Sequence, residues 1–364
     1  MQWLSEYGLF LAEAVTVVVA IGAIILMIVR ARHGDSGERE ARLKIRPWHE
    51  RMQHLQRELG QAGLEDAERT ANAKARAKKE KQEAKSLKKA LKAKAKRKPS
   101  DNVQEQDSTA GRRVFVLDFV GDIKATGVES LAEQVTALEG VLTDKDEVVL
   151  RLESGGGLVH AYGLAAAQLD RLRAAGARLT ITVDKVAASG GYMMACAADH
   201  VVAAPFAVIG SIGVVAQVPN VHRLLKKHDV DVEILTAGRY KRTLTMLGEN
   251  TEEGREKFLS DLARTHDLFK QHVGSRRPQL DVEAVSQGDI WYGSEAIAIG
   301  LIDEVGTSQA LLAGYLKQDI KIFEVSLEKP RRMMDRFGKG VTLSLDRVLD
   351  RVLERNVESR WQQH

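Results

Sequence analysis

The chain has 364 residues, 44% of them hydrophobic and 29% charged, with a formal net charge of +4. That gives room for a membrane segment or tail plus one or two domains with an ordinary core, while the single cysteine, Cys196, excludes an intramolecular disulfide framework. The charge is uneven: residues 71–98 hold thirteen Lys/Arg against two Glu, a local +11, so the remainder lies near −7 and the basic balance belongs to one segment.

Residues 8–29 are apolar except for Glu13 and Thr16. As a helix the run reaches about 33 Å, enough for a hydrocarbon core of about 30 Å. Trp3 and Tyr7 fit an interfacial aromatic belt. No Lys or Arg precedes the run, and it ends in Val29-Arg30-Ala31-Arg32 without a small-residue cleavage pattern, which reads as a retained anchor and not a cleaved signal peptide. Arg30, Arg32, Arg39, Arg42, Lys44 and Arg46 all follow it, so the positive-inside rule places the rest of the chain in the cytoplasm.

Residues 34–110 read as a polar connector, interrupted by Pro47 and then rich in Glu, Gln, Ala, Lys and Arg over 52–98. The basic stretch 71–98 has no heptad of large apolar residues, so it reads as a solvated helix or tether and not a strong coiled coil. Contact with anionic headgroups, at about 1 kcal/mol per basic residue near the surface, is its functional alternative. The absence of aromatic residues from it argues against nucleic acid as a partner. Residues 99–111 are turn-rich and polar, a linker into the globular part.

From Arg113 the pattern alternates. Strands are expected at 114–120, 147–152, 179–183, 200–203, 212–216, 232–236 and 320–325, and helices at 128–141, 158–175, 190–198, 224–227 and 251–273. Phe258, Leu262 and Phe269 would line the inner face of the last helix. Short connections between alternating elements argue an α/β layered domain with largely parallel strands. Residues 343–357 carry Leu345, Val348, Leu349, Val352 and Leu353 at helical spacing, a docking or oligomer helix. The expected organisation is an anchor at 1–33, a connector at 34–110, a catalytic domain at 111–328 and an amphipathic tail at 329–364.

Sites in open α/β domains gather at the carboxyl ends of strands. Two loops fall there: the Gly-rich Ser154-Gly155-Gly156-Gly157, and Ala188-Ser189-Gly190-Gly191. A serine at a strand-to-helix turn lies beside free backbone N–H groups, as a nucleophile feeding an oxyanion requires; the bland alternative is a helix cap. The Gly-rich loop can bring its own N–H groups close to a ligand, and no Gly-Lys-Ser/Thr follows it, which argues against a nucleotide P-loop. The base is open on spacing alone. His160, His200 and His222 are among ten histidines that keep a Ser-His-Asp arrangement in play. Lys241, after the Gly238 turn, would need its pKa to fall from about 10.4 by roughly three units, about 4 kcal/mol, through burial. Cys196, seven residues after Ser189, reads as a small core residue without chemistry.

Three separated motifs carry a resemblance: Asp184-Lys185-Val186-Ala187-Ala188-Ser189-Gly190-Gly191-Tyr192, then Gly210-Ser211-Ile212-Gly213-Val214, then Gly238-Arg239-Tyr240-Lys241. In order and spacing they resemble the signal peptide peptidase A (SppA) family of serine–lysine peptidases. The N-terminal span, the charged connector and residues 243–258 look like its SohB branch. The resemblance covers nearly the whole chain. It implies a ClpP/crotonase-like fold of stacked ββα units, assembled as a homo-oligomeric ring or bowl with sites completed by neighbouring protomers. It also implies a serine endopeptidase that needs no cofactor or metal, acting on peptide and unfolded or membrane-derived protein substrates. By the same resemblance Ser189 is similar to the nucleophile and Lys241 to the general base. Ser211 matches the serine that orients the lysine, Gly190 N–H one oxyanion donor, and the loop around Gly156 the other. The family loop usually reads Ser-Pro-Gly-Gly, whereas Gly155 stands in the proline position here, which frees the loop. Trp291-Tyr292-Gly293 and Gly300-Leu301-Ile302-Asp303 match a closing segment with a structural role. The family is associated with the outer face of the bacterial inner membrane, against the charge bias, so the expectation is the inner membrane with the side open. Competing readings are a Ser-His-Asp peptidase on the same fold, a crotonase-like acyl-CoA binder and a non-catalytic membrane scaffold.

Overall fold

Two strands set the architecture because their sequences are apolar on both faces. β2 (Arg113–Gly121, RVFVLDFVG) and β3 (Glu147–Ser154, EVVLRLES) are buried over most of their length, the pattern of central strands in a parallel sheet. They pair in parallel from Val114 opposite Glu147 to Gly121 opposite Ser154. The computed structural model describes residues 42–63, scattered positions between 68 and 89, and 111–328.

Around this pair the remaining strands are β1 (Arg42–Pro47), β4 (Arg178–Val183), β5 (Val186–Ala188), β6 (His200–Ala203), β7 (Val208–Gly210), β8 (Ile290–Tyr292), β9 (Glu304–Val305) and β10 (Lys321–Glu328). The main row runs β1-β10-β2-β3-β4-β6-β9. At its carboxyl end β3 forks. Residues 147–151 pair with β4, while Ser154 pairs with Ala187 of β5, which leads to β7 and the antiparallel β8. The expected α/β class with largely parallel strands is what the chain adopts.

Side chains alternate across β2 and β3, and each face has its own core. Phe115, Leu117, Phe119, Leu150 and Leu152 face the larger cluster with Tyr162, Leu169 and Leu172. These last three lie on helix α3 (Val159–Ala174), which packs beside α2 (Val128–Glu139). Val114, Val116 and Val149 face the smaller cluster, with Trp48, Leu312 and Ile322. Trp48 opens helix α1 (Trp48–Gln61) and is 3% exposed. Residues 43–61, expected as part of the connector, fall within the folded unit that spans residues 43–327. Strand β1 reads RLKIRP and is mostly exposed at the sheet edge, so no apolar run announces it.

Two expected strands do not form. The stretch 212–216 is displaced by β7, which stops at Gly210 because Gly210 (φ +98°) and Ser211 (φ +51°) turn the chain out of extended geometry. Residues 232–236 have no strand partner among the described residues, and Leu235 is 89% exposed. They lie in a mostly exposed arm, 214–250, whose one helix is α5 (His222–Lys227). The arm ends in the long helix α6 (Glu252–Arg276), started by Thr251, whose hydroxyl accepts the Gly254 N–H. Only Phe269 and Val273 of that helix are buried, so Phe258 and Leu262 of the expected inner face are half-covered.

The apolar run 8–29, the linker 99–110 and the amphipathic segment 343–357 lie outside the described residues. Among the described residues no helix is long and apolar enough to cross a membrane.

Candidate active site

Three strand ends meet at the fork. Ser154 pairs with Ala187, and Ala188 pairs with Gly210, so the loops after β3, β5 and β7 leave the sheet side by side. These loops carry Ser154 to Gly157, Ser189 and Ser211. Adjacent strands stand about 4.8 Å apart, which makes Ser189 and Ser211 neighbours in register. The Ser189 N–H donates to Gly210 O at 2.8 Å and locks the two turns together.

Ser189 adopts φ 51°, ψ −117°, a left-handed conformation that costs a non-glycine residue about 1–3 kcal/mol and persists only where its surroundings impose it. Ser211 has the same φ of 51°, and its N–H is held by Asp289 O at 2.6 Å. Ser189 is half-buried and opens helix α4 (Gly190–Ala195), every residue of which is buried. The Gly190 N–H lies in the first helical turn, where a backbone N–H has no intrahelical acceptor.

The Gly-rich loop closes on this turn. Gly156 has φ +91°, and a Cβ there would lie 2.7 Å from Gly190 N, 2.8 Å from Ala188 O and 2.8 Å from Ser189 Cβ. Gly190 in turn rests on the Tyr162 ring, where a Cβ would come within 2.5 Å of Cγ. The Gly156 N–H donates to Ser154 Oγ at 3.1 Å. Ser154 Oγ is also hydrogen-bonded to Tyr162 Oη, and Tyr162 Oη donates to Asp122 O at 2.8 Å. Burial pushes the Tyr162 phenol above its ordinary range, against the Ser154 bond that lowers it, so the hydroxyl keeps its proton. From the sequence, Tyr162 has no role beyond its place in the expected helix 158–175. The pairing with Ser154, eight residues earlier, carries no periodic signal.

Lys241 is not hydrogen-bonded to this cluster. It is exposed, in a turn where its N–H donates to Gly238 O at 3.1 Å. No hydrogen bond joins its ammonium to Ser189 or Ser211 among the described residues. Arg239 is tied to Glu253, and the cations of Arg239 and Lys257 lie over the Tyr240 ring. Ser189, Gly190, Gly156 and Ser211 thus lie together within one protomer, and Lys241 is not hydrogen-bonded to them.

Among the described residues no histidine is hydrogen-bonded to Ser189, and His222 opens α5 in the exposed arm. His200 pairs with Glu304 at 3.0 Å, and His160 is exposed on α3. His272 of α6 donates to Met193 O in α4 at 2.9 Å, and burial holds its imidazole below the usual range. Cys196 is fully buried, with burial pushing its thiol up to about 12, which suits a core residue. No cluster of three metal-ligating side chains occurs among the described residues.

Two family models cover the chain: "Peptidase family S49 N-terminal" matches residues 2–169, and "Peptidase family S49" matches residues 171–321. Among curated proteins, "Probable protease SohB" of Haemophilus influenzae is 45% identical over 348 residues, 96% of each chain. "Probable protease SohB" of Buchnera aphidicola subsp. Schizaphis graminum is 40% identical over 354 residues, 97% of this chain and 98% of that one. The chloroplastic "Serine protease SPPA" of Arabidopsis thaliana is 29% identical over 248 residues, 64% of this chain and 36% of that one.

Proposed function

Because the chain belongs to peptidase family S49, and is therefore a peptidase, we propose that it is a serine endopeptidase with Ser189 as nucleophile and Lys241 as general base. The observation that carries this reading is the forced left-handed turn at Ser189, with the Gly190 amide and the Gly156 loop pressed against it. In the reaction, neutral Lys241 takes the Ser189 hydroxyl proton as Oγ bonds to the peptide carbonyl carbon. The carbonyl becomes an oxyanion, held by the Gly190 N–H and by the loop around Gly156. Loss of one such donor costs about 10²–10³ in rate. Collapse breaks the C–N bond, and Lys241 returns its proton to the leaving amine. Water then attacks the acyl-serine with Lys241 again as base. Ser211, one residue past the Ala188–Gly210 pair, is the residue to which this reading gives the orienting of that amine.

An exposed lysine lacks the low-dielectric surroundings that favour a neutral amine. We assign those surroundings to a second copy of the chain. The arm 214–250 presents Val215, Leu224, Leu235, Met246 and Leu247 to solvent, as a segment does that packs against a neighbouring protomer. The fold is then a ClpP/crotonase-type unit in a homo-oligomer, and the apolar run 8–29 anchors it in a bacterial inner membrane near apolar or unfolded peptide substrates.

The test is labelling with a fluorophosphonate, followed by mass spectrometry of the modified peptide. The expected result is a single adduct on Ser189, with turnover abolished in both Ser189→Ala and Lys241→Ala while thermal melting stays cooperative. Undiminished peptide cleavage by folded Lys241→Ala would sink the assignment of the base.

A further inference from the structure

Three glycines in succession, Gly155 to Gly157, give the loop after β3 more backbone freedom than any other residues would. Yet a hydrolytic site needs that loop fixed against Gly190 before substrate arrives. We propose that Tyr162 and Ser154 are positioning residues that hold the two halves of the oxyanion site in register. This rests on the reading of Ser189 as nucleophile.

The geometry is a directional chain. Tyr162 has one hydroxyl hydrogen, and it goes to Asp122 O. The Ser154 hydroxyl hydrogen must therefore go to Tyr162 Oη, which leaves Ser154 Oγ as acceptor for the Gly156 N–H. Each bond polarises the next, so the chain acts as one unit. It links three segments: the loop after β2 through Asp122, the end of β3 through Ser154, and the glycine loop through Gly156.

Tyr162 also acts through its ring. The ring is fully buried and forms the floor on which the Gly190 backbone lies. Ser154 likewise touches the nucleophile turn, since a Cβ on Gly191 would meet its carbonyl oxygen. One side chain thus sets the height of the Gly190 amide and, through one hydroxyl, the peptide plane at Gly156. Both side chains are buried, so they act through the backbone they hold.

Three variants of the assembled, full-length enzyme test this: Tyr162→Phe, Ser154→Ala and Ser154→Thr. The readouts are kcat and KM on a fluorogenic peptide, and inhibition by a peptide aldehyde, whose adduct carries the oxyanion. Tyr162→Phe keeps the ring under Gly190 and loses only the hydroxyl. It should lower kcat about 10-fold or more, with KM changed by less than about 2-fold, and weaken the aldehyde in proportion to kcat. Ser154→Ala should do the same, and the double variant should be little worse than either single one, since both break one chain. Ser154→Thr retains the hydroxyl and should recover most of the loss.

Tyr315→Phe is the matched control. It removes a phenol that donates to Glu147 at 2.7 Å, at the opposite end of β3, and should cost melting temperature without changing kcat. If Tyr162→Phe does not fold, Ser154→Ala and Ser154→Thr carry the test. Unchanged kcat in folded variants, a rise in KM alone, or a rise in kcat from freeing the Gly156 N–H would each overturn the proposal. Fluorophosphonate labelling of Ser189 in the wild type separates these outcomes from failure of the nucleophile assignment. A wild type that takes no label there, with Ser189→Ala active, would remove both.

Discussion

Gly156 shows how a single residue type can be dictated by its surroundings. Its φ of +91° is open to glycine, and the three atoms nearest a Cβ belong to Gly190, Ala188 and Ser189. Gly156→Ala therefore meets both a backbone penalty and a clash with the nucleophile turn. It should lose more than about 1 kcal/mol of stability and at least about 10²-fold in kcat, because the loop can no longer lie against the Gly190 amide. Urea denaturation and peptide turnover on the same preparation would check both. The motif made Gly156 visible in the sequence, since glycine runs after an apolar strand signal close approach. Its hydrogen bond to Ser154 was not visible, because nothing in the order of residues says which hydroxyl a loop amide will face.

At the scale of elements, the strands that carry the site were the easiest to read and the segments around them the hardest. β2, β3 and β4 are buried on both faces, so their apolar runs leave little choice of structure. β1 and the arm 214–250 mislead for opposite reasons. β1 is a polar edge strand that its neighbour β10 recruits, whereas 232–236 has strand-forming residues without a strand to pair with among the described residues. The long helix α6 is tied to the sheet and its helices near its carboxyl end, by His272 to Met193 O, by Arg276 to Asp170 and, from the residue that caps it, by Arg277 to Asp303. Arg277 is nearly buried, and Asp303 also accepts the Val201 N–H at 2.7 Å, so one carboxylate ties α6 to β6. Burial raises the Asp303 carboxyl, but the Arg277 and Val201 hydrogen bonds outweigh it and hold the group below its ordinary range. A depressed carboxyl adds stability that is full above its unfolded value of about 3.9 and is lost as pH falls through the lower folded value. Asp303→Asn should cost about 3–5 kcal/mol by leaving a buried guanidinium without its counter-charge. Its melting temperature should also fall less steeply than the wild type's below about pH 4. Equal slopes in that acid range would show that the carboxylate is not the linked group.

The whole molecule raises the question of where Lys241 acts. Four of the five expected site residues converge within one protomer, while the lysine sits exposed in an arm that offers its apolar side chains outward. If the base works across an interface, Ser189→Ala and Lys241→Ala define complementary halves. An assembly of Ser189→Ala protomers has intact lysines, and one of Lys241→Ala protomers has intact serines. Each should be inactive alone. Co-assembled at equal amounts in a cyclic homo-oligomer, random mixing gives a site both intact parts about one time in four, so about a quarter of wild-type turnover should return. A site built within one chain gives none, because every protomer then lacks one of its two groups. The measurement is peptide turnover after denaturing and refolding the two variants together, against the same variants refolded separately and then mixed. Return of activity only in the first sample would require mixed assembly during refolding and a lysine donated from the neighbouring subunit, since no single chain in the mixture holds both groups.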